Sequence, residues 1–305
     1  MERLHFYGRS VIVTGAGRGV GRAHALMLAD RGARVVVADI GGGLDGEGSS
    51  AGPAEEVAEE ILAAGGEAVA CHASVAEEAG AARIVATAVD AFGGVDALVN
   101  NAGIAAPDWF EDLPAEQFRR MVDVHYLGTV YLTQAAWPHL VRSGEGRVVN
   151  TCSEAGFGTV PKNTSYGGAK GAVFGFTRSL ALDGARHGVR VNAVAPRANT
   201  RLSAPPVLSH TFDVAAEAFA GVMDTMRPDL VAPVAAFLAH PSCRLNGEVL
   251  IAGAGQVMRL AVVRTRGIDR PDLTPEDVAA DLGALMDMEA AELIEVVGAV
   301  DGGAA

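Results

Sequence analysis

The residues best suited to chemistry in this sequence are Tyr166 and Lys170, with Ser153 thirteen positions before the tyrosine. A spacing of four places Tyr166 and Lys170 on one face of a helix, one turn apart. A tyrosine hydroxyl has an ordinary pKa of about 10, and a neighbouring ammonium favours its ionised form. Such a tyrosine can exchange a proton with a substrate oxygen held by the hydroxyl of Ser153. The same pair also occurs on solvated helix faces, so other features must decide between the two interpretations.

Short runs rich in β-branched residues alternate with alanine-rich helical stretches. This rhythm predicts an α/β fold, a Rossmann-type doubly wound parallel sheet of about seven strands with helices on both faces. The predicted strands cover residues 10–14, 34–38, 67–71, 95–100, 147–151, 189–194 and 248–252. The predicted helices cover residues 20–31, 53–64, 75–92, 114–139, 164–187 and 228–239.

The last 50 or so residues form an extension, which is too short to make a core of its own. Thr274-Pro275-Glu276-Asp277 is typical of a helix start, and the pattern predicts helix over residues 278–296. We therefore predict a dinucleotide-binding domain at residues 1–255. Residues 256–305 are expected to be a helical extension that packs on this domain or on a partner subunit.

A glycine-rich turn joins the first predicted strand to the first predicted helix, as Thr14-Gly15-Ala16-Gly17-Arg18-Gly19-Val20-Gly21. Glycines there let the backbone approach a pyrophosphate, and the helix start presents free N–H groups. The Gly-x-Gly-x-x-Gly spacing is not met, because position 20 is not glycine. The position after a strand nevertheless favours a dinucleotide site over a merely flexible turn.

The choice between NAD and NADP depends on two residues. Asp39 ends the second predicted strand, where a carboxylate suits both ribose hydroxyls and repels a 2′-phosphate. Arg18 is the opposing signal, since an arginine in the loop can pair with that phosphate. Asp39 is the stronger of the two, so we predict NAD.

With these residues together, positions 5–255 resemble the short-chain dehydrogenase/reductase family in the loop around Gly15, in Asn100-Asn101-Ala102-Gly103 and in the spacing of Ser153, Tyr166 and Lys170. The resemblance implies that Tyr166 is the acid/base and Ser153 the orienting hydroxyl. It implies that Lys170 lowers the pKa of the tyrosine and binds the nicotinamide ribose. The implied cofactor contacts are Gly15, Arg18, Gly19, Val20, Gly21, Asp39, Ser74, Val75, Asn101, Ala102, Gly103, Tyr166, Lys170, Pro196 and Thr200, with no metal.

The sequence departs from the family pattern at two positions. His125 stands where the family has an asparagine that bends a helix and holds a water of the proton relay. The histidine could hold the same water, which makes it a fourth catalytic candidate, or it could simply fill space in the core. Arg197 follows Pro196 where the family has glycine, which leaves the geometry of that loop open.

Within the family, the chain is most similar to the (3R)-hydroxyacyl-CoA dehydrogenase domain of peroxisomal multifunctional enzymes. The motifs concerned are the loop at positions 41–50, Val124-His125, Ala195-Pro196-Arg197-Ala198 and Gly253-Ala254-Gly255. In this branch histidine is the expected residue at position 125. These motifs indicate lineage more than substrate.

Bulk properties exclude several other classes of protein. A net charge of −13 without a basic cluster argues against nucleic-acid binding. No apolar run approaches the roughly 18 residues that a membrane span needs, so no membrane partner is expected. The first ten residues lack a secretion signal, and three cysteines without ligand spacing suggest a reducing compartment. We expect a cytoplasmic protein, and the family resemblance implies a homodimer or homotetramer.

The sequence therefore predicts an oxidoreductase that transfers hydride between NAD(H) and a secondary alcohol or ketone, with a 3-hydroxyacyl-CoA as one candidate substrate. Two alternatives stay open: an NADPH-dependent ketoreductase of biosynthesis, and a dinucleotide sensor without turnover. Apolar side chains are expected to wall the substrate region. They are Phe157, Val160, Phe212, Phe219 and Met223.

Overall fold

An eight-stranded sheet forms the centre of the molecule. The computed structural model describes residues 3–296, apart from the side chain of residue 220. The strands are β1 (Ser10–Thr14), β2 (Arg34–Ala38), β3 (Glu67–Cys71), β4 (Ala97–Asn100), β5 (Arg147–Thr151), β6 (Arg190–Pro196), β7 (Val249–Gly253) and β8 (Gln256–Leu260). Their order is β3-β2-β1-β4-β5-β6-β7-β8, and only β7 and β8 are antiparallel neighbours. The predicted doubly wound parallel sheet is confirmed, with one strand more than expected.

Helices cover both faces of this sheet. They are α1 (Gly19–Asp30), α2 (Gly52–Ala63), α3 (Glu78–Phe92), α4 (Ala115–Met121), α5 (Gly128–Arg142), α6 (Thr164–Ala185), α7 (Pro205–Phe212), α8 (Ala220–Met223) and α9 (Ala232–Ala239). Helices α1, α2 and α9 pack on one face, and α3, α5 and α6 pack on the other. Alternate residues of β1 serve the two cores: Val11 and Val13 point to the first and Ile12 to the second.

The additional strand comes from a tight hairpin. Ala254 and Gly255 both have positive φ angles, +49° and +76°, which is the geometry of a two-residue hairpin turn. Strand β8 therefore folds back along β7, and residues 256–260 belong to the main sheet. The extension therefore begins with a strand, ahead of the helix predicted for residues 278–296.

The predicted helix over 114–139 is divided in the middle. Between α4 and α5, residues Val122–Leu127 form a π-helix that contains His125. The Thr129 hydroxyl donates to the carbonyl oxygen of His125 at 2.8 Å. A π-helical turn inserts an extra residue per turn and so changes the direction in which its side chains point.

The remaining extension is only partly helical. Helix α10 (Pro275–Ala280) begins with the expected cap, in which Thr274 and Asp277 satisfy each other's backbone N–H groups. Helix α11 (Leu282–Met286) ends early, and a short β9 (Val263–Arg264) pairs with β10 (Glu292–Leu293). The prediction of one continuous helix over 278–296 is therefore wrong, because the backbone becomes extended after Met286.

The end of the described extension contacts the main domain. Arg178 on α6 donates to the carbonyl oxygen of Ile294, and the buried Val296 lies against Gly247. Packing on a partner subunit stays a prediction, and residues 297–305 lie outside the described part. Within residues 3–296, no helix is both long and apolar enough to cross a membrane, and no cluster of three or more His, Cys, Asp or Glu could hold a metal.

A buried histidine on α1 makes the stability of this fold sensitive to acid. His24 is 1% exposed, and neither ring nitrogen hydrogen-bonds to another described residue. Burial lowers the pKa of His24 to about 4. The unfolded chain therefore binds more protons than the folded chain between pH 6.5 and 4, and stability falls as the pH falls through this range.

We predict that His24→Leu removes part of this acid sensitivity. Between pH 7 and 4, the wild-type free energy of unfolding should fall about 3 kcal/mol more than that of the variant. Urea denaturation across this range measures the difference, with His72→Gln at an exposed site as the control. Parallel pH profiles for wild type and His24→Leu would contradict the prediction.

Candidate active site

A cavity of about 510 Å³ lies where β1, β2, β4, β5 and β6 end. Every residue that the sequence analysis assigned to catalysis or cofactor binding lines it. These residues are Gly15, Arg18, Gly19, Val20, Gly21, Asp39, Ser74, Val75, Asn101, Ala102, Gly103, His125, Ser153, Tyr166, Lys170, Pro196 and Thr200. The carboxyl ends of parallel strands meet at one sheet edge, so residues far apart in sequence converge there.

The glycines of the phosphate loop are required by close backbone contacts. Gly15 has a φ of +61°, and a Cβ on it would lie 2.8 Å from the Cα of Ala102. A Cβ on Gly21 would lie 2.1 Å from the carbonyl oxygen of Gly15. No other residue fits these two positions, and the bare backbone left at the start of α1 is the cradle that a pyrophosphate needs.

The Thr14 hydroxyl ties this loop to the end of β4. It accepts hydrogen bonds from the backbone N–H groups of Asn101 and Ala102, at 3.0 and 3.1 Å. The side-chain amide of Asn101 donates in turn to the carbonyl oxygen of Thr14 at 2.9 Å. These bonds hold the two strand ends at a fixed separation.

Asp39 is oriented by two backbone amides. Gly17 donates to its Oδ2 at 2.9 Å, and Gly41 donates to its Oδ1 at 2.7 Å. Each carboxylate oxygen keeps a further acceptor position, which is what a pair of ribose hydroxyls requires. The residues present therefore fit the adenosine end of a nicotinamide dinucleotide.

Two arginines meet near this carboxylate, and only Arg18 is among the residues predicted from the sequence. Arg18 and Arg201 both donate to the carbonyl oxygen of Gly42, each at 3.2 Å. Burial and the neighbouring charge of Arg18 lower the pKa of Arg201, while Asp39 opposes this effect. Arg201 directly follows Thr200 in sequence, which was the available signal for it.

The reacting groups lie at the other end of the cavity. Lys170 is 3% exposed and donates from Nζ to the carbonyl oxygen of Thr151 at 2.7 Å. Its Nζ lies 5.7 Å from the ring centroid of Tyr166. Ser153 follows β5 and caps the short 3₁₀ helix Glu154–Phe157, where its Oγ accepts a hydrogen bond from the N–H of Ala155 at 3.2 Å.

The pKa of Tyr166 changes in the direction opposite to the expected one. Burial raises it to about 12, and a hydrogen bond with Ser153 opposes this only in part. Burial likewise lowers the pKa of Lys170 to about 8. Desolvation is the largest influence on the pKa of Tyr166, so the protein's own groups favour a protonated tyrosine.

His125 is buried and contacts the tyrosine ring directly. The two rings lie edge to face with centroids 5.1 Å apart. Its Nε2 lies 2.9 Å from the carbonyl oxygen and 3.2 Å from the backbone nitrogen of Ile104, while the buried Nδ1 has no hydrogen-bond partner among the described residues. Burial and the charge of Lys170 lower the pKa of His125 well below its usual value. The residue is therefore a neutral ring that packs against Tyr166, and a water-holding role stays a prediction.

A chain of buried amides and hydroxyls fixes the strand ends beneath these groups. Asn100 donates to the Oδ1 of Asn150 at 2.9 Å and to the hydroxyl of Thr133 at 3.1 Å. Asn150 donates to the hydroxyl of Thr177 on α6 at 2.9 Å. This network joins β4, β5, α5 and α6, and α6 is the helix that carries Tyr166 and Lys170.

The substrate wall differs from the expected one. Of the five predicted apolar residues only Val160 lines the cavity; Phe157 and Phe212 are partly exposed and pack on other phenylalanines. The apolar residues on this wall are Ile104, Ala105, Pro107, Leu202, Val207 and Leu208. The segment at 201–212 folds as helix, which turns Val207 and Leu208 inward.

Arg197, the residue that follows Pro196 in place of the family's glycine, forms an ion pair with Glu154. The Arg197 guanidinium makes two hydrogen bonds of 2.7 Å to the Glu154 carboxylate. Because β5 and β6 are neighbours in the sheet, the residues that follow them meet at the same edge. Opposite charges after adjacent strands were the sequence signal for this pair.

We predict that Gly103→Ala destabilises the protein, because the added Cβ would lie 2.6 Å from Cε1 of His125. Displacing a buried ring should cost about 1–3 kcal/mol, measured by urea denaturation. Gly175→Ala on α6 is the control, since its Cβ would meet nothing within 4 Å. A Gly103→Ala variant as stable as wild type would show that His125 is loosely held.

Comparison with known proteins gives related sequences over nearly the whole chain. A short-chain type dehydrogenase/reductase of Mycobacterium tuberculosis is 40% identical over 291 residues, covering 93% of this chain and 96% of that protein. A hydroxyacyl-CoA dehydrogenase of the same organism is 36% identical, covering 82% and 78%. Peroxisomal multifunctional enzyme A of Dictyostelium discoideum is 38% identical over 90% of this chain, but the match spans only 59% of that longer protein.

Solved structures agree with these relatives. A short chain dehydrogenase from Mycobacterium avium superposes with a TM-score of 0.75 at 37% identity, covering 92% of this chain and 94% of that chain. A 7α-hydroxysteroid dehydrogenase complexed with NADH and 7-oxo glycochenodeoxycholic acid has a TM-score of 0.72 at 30% identity, covering 84% and 98%. The family model for short chain dehydrogenases matches residues 9–203. The chain therefore belongs to the short-chain dehydrogenase/reductase family.

Proposed function

We propose that the protein is an NAD(H)-dependent oxidoreductase that interconverts a 3-hydroxyacyl-CoA and the matching 3-ketoacyl-CoA. The observation that carries this proposal is one continuous cavity. It joins Asp39 and the phosphate loop at one end to Ser153, Tyr166 and Lys170 at the other. The cavity holds both a carboxylate suited to bind a cofactor, that of Asp39, and the groups of a proton relay. This combination argues against a sensor without turnover, since a sensor needs no relay.

The residues at the reaction end suit ketone reduction. When bound, NAD(H) supplies the hydride in one direction and accepts it in the other. The Tyr166 hydroxyl, kept protonated by burial, gives its proton to the carbonyl oxygen as the carbon becomes an alcohol carbon. Ser153 donates a hydrogen bond to the same oxygen. Lys170 is held in position by its hydrogen bond to the Thr151 carbonyl oxygen. Alcohol oxidation requires the reverse proton transfer, to a tyrosine that has first been ionised.

The cofactor proposal rests on Asp39. Its carboxylate is fixed at the end of β2 by two backbone amides, where it would repel a 2′-phosphate. The pair Arg18 and Arg201 favours the second candidate, an NADPH-dependent ketoreductase, because two guanidinium groups can hold a phosphate. Both arginines already donate to the Gly42 carbonyl, and NAD is the better fit.

The substrate proposal is supported by the apolar wall and by relatives. An apolar wall of residues such as Val207 and Leu208 suits an acyl chain. Two relatives carry the names hydroxyacyl-CoA dehydrogenase and peroxisomal multifunctional enzyme. A homodimer or homotetramer remains our expectation, as does a cytoplasmic location, although several relatives are named peroxisomal.

We predict that Tyr166→Phe abolishes turnover while NADH still binds. The variant removes one hydroxyl, so ketone reduction should fall by about 10²–10⁴-fold. Loss of NADH absorbance with acetoacetyl-CoA measures turnover, and NADH fluorescence measures binding. Arg119→Met, at an exposed ion pair on α4, is the control. Turnover at the wild-type rate in Tyr166→Phe would contradict the proposed mechanism.

We predict that Asp39→Ser changes the cofactor preference. Removal of the carboxylate should lower kcat/KM for NADH by about tenfold and raise that for NADPH, since the repulsion disappears and the arginines remain. The ratio of the two values is the measured quantity. A wild-type enzyme that already prefers NADPH would instead support the ketoreductase alternative.

A further inference from the structure

The chain contains only two lysines, Lys162 and Lys170, and both are buried. All other basic side chains with a permanent charge are arginines. Lys170 belongs to the reaction end of the cavity. Lys162 has no part in the proposed chemistry and does not line the cavity, yet its ammonium is almost completely removed from water.

The Lys162 ammonium has a full set of partners. Its Nζ donates to the carbonyl oxygen of His210 at 2.6 Å and to Oδ1 of Asp213 at 2.5 Å. It also lies 5.0 Å from the ring centroid of Trp109, a cation–π contact. A compact ammonium with three donors satisfies this arrangement, whereas the planar guanidinium of an arginine would not.

These contacts join three segments that come from different parts of the chain. Residues 104–109 follow β4, residues 158–163 precede α6, and residues 205–213 comprise α7 and the residue after it. Two further bonds connect the same segments: Asp108 N–H donates to the Lys162 carbonyl at 2.9 Å, and His210 Nε2 donates to the Pro107 carbonyl at 3.0 Å. We call this set of contacts the Lys162 anchor.

The three segments also form the substrate side of the cavity. Each contributes lining residues close to the anchor. They are Pro107 from the first, Val160 and Asn163 from the second, and Val207, Leu208 and Thr211 from the third. The separation of these walls therefore depends on how tightly the anchor holds the segments together.

Two residues of the anchor have left-handed backbone conformation. Lys162 and Asp213 have φ angles of +54° and +53°. Within residues 3–296 the only other non-glycine residue with positive φ is Ala254, in the hairpin turn. Left-handed backbone is unfavourable for most side chains with a Cβ, whereas aspartate tolerates it at the end of a helix. The cost therefore falls on Lys162, which the anchor contacts hold in this conformation.

We propose that Lys162 is a positioning residue that sets the width of the substrate end of the cavity and thereby the size of the ketone that is accepted. The proposal rests on the proposed function only in that the ketone enters between these walls. Loss of the ammonium should release the three segments. Weaker positioning should raise KM for a short substrate and favour a longer one.

The test compares the same change at both lysines. In Lys162→Met we expect KM for acetoacetyl-CoA to rise about tenfold with kcat and NADH binding nearly unchanged. The ratio of kcat/KM for 3-ketodecanoyl-CoA to that for acetoacetyl-CoA should rise about fivefold. In Lys170→Met we expect kcat to fall with both substrates. Arg119→Met should match wild type.

Amide hydrogen exchange gives a readout that needs no substrate. In Lys162→Met, exchange should become faster in residues 104–109 and 205–213, while β1 and α1 stay as protected as in wild type. Asp213→Asn, which keeps a side chain tolerant of left-handed backbone, should give the same pattern in weaker form. Exchange in the double variant should be no faster than in Lys162→Met, because both changes break the same contact between Lys162 and Asp213.

Three outcomes would overturn the proposal. The first is unchanged exchange in both segments of Lys162→Met, and the second is an unchanged ratio of kcat/KM for the two substrates. The third is a loss of exchange protection throughout the protein that is accompanied by a loss of NADH binding. The last would mean that Lys162 only supports the fold. Full turnover in Lys170→Met would instead defeat the proposed function, and exchange in Lys162→Met would still decide the role of the anchor.

Discussion

The close approach between the phosphate loop and the end of β4 is the contact on which the candidate site depends. The order of strands reverses between β1 and β4, so the connections that leave these strands diverge and open a crevice. The crevice stays narrow because the Thr14 hydroxyl receives two N–H groups from the end of β4. Only glycine fits at positions 15 and 21 under this constraint. The backbone left bare by that requirement is the surface available to a dinucleotide.

Burial decides the chemistry at the opposite end. Tyr166 and Lys170 lie one helical turn apart. Lys170 is buried beside β5, and Tyr166 is half-buried against His125 of the π-helix. Desolvation disfavours the charged form of each, so the pKa of the tyrosine rises and that of the lysine falls. The buried amides of Asn100 and Asn150 hold the underlying strands in register without adding charge. The protein itself thus presents a proton donor, which suits reduction of a carbonyl.

The two ends of the cavity are held in different ways. Short polar side chains that hydrogen-bond to the backbone, together with close glycine contacts, define the cofactor end. Side-chain contacts define the substrate end, through Lys162, His210 and Trp109. This division allows the substrate walls to vary without disturbing the cradle. A fold divided in this way can serve proteins named for different substrates, such as the hydroxyacyl-CoA and 7α-hydroxysteroid dehydrogenases to which this chain is similar.

The sequence by itself determined the order of the elements, the parallel sheet and the set of residues that would line one cavity. These features follow from local patterns: β-branched runs, glycines after a strand, and a Tyr-x-x-x-Lys spacing. Only the tertiary structure decided the direction of the Tyr166 pKa, the pairing of Glu154 with Arg197 and the identity of the apolar wall. Burial and contacts between distant segments control these properties, and neither is encoded at a fixed spacing along the chain. The extension was predicted least well, because its short elements take their conformation from pairing with β7 and with each other.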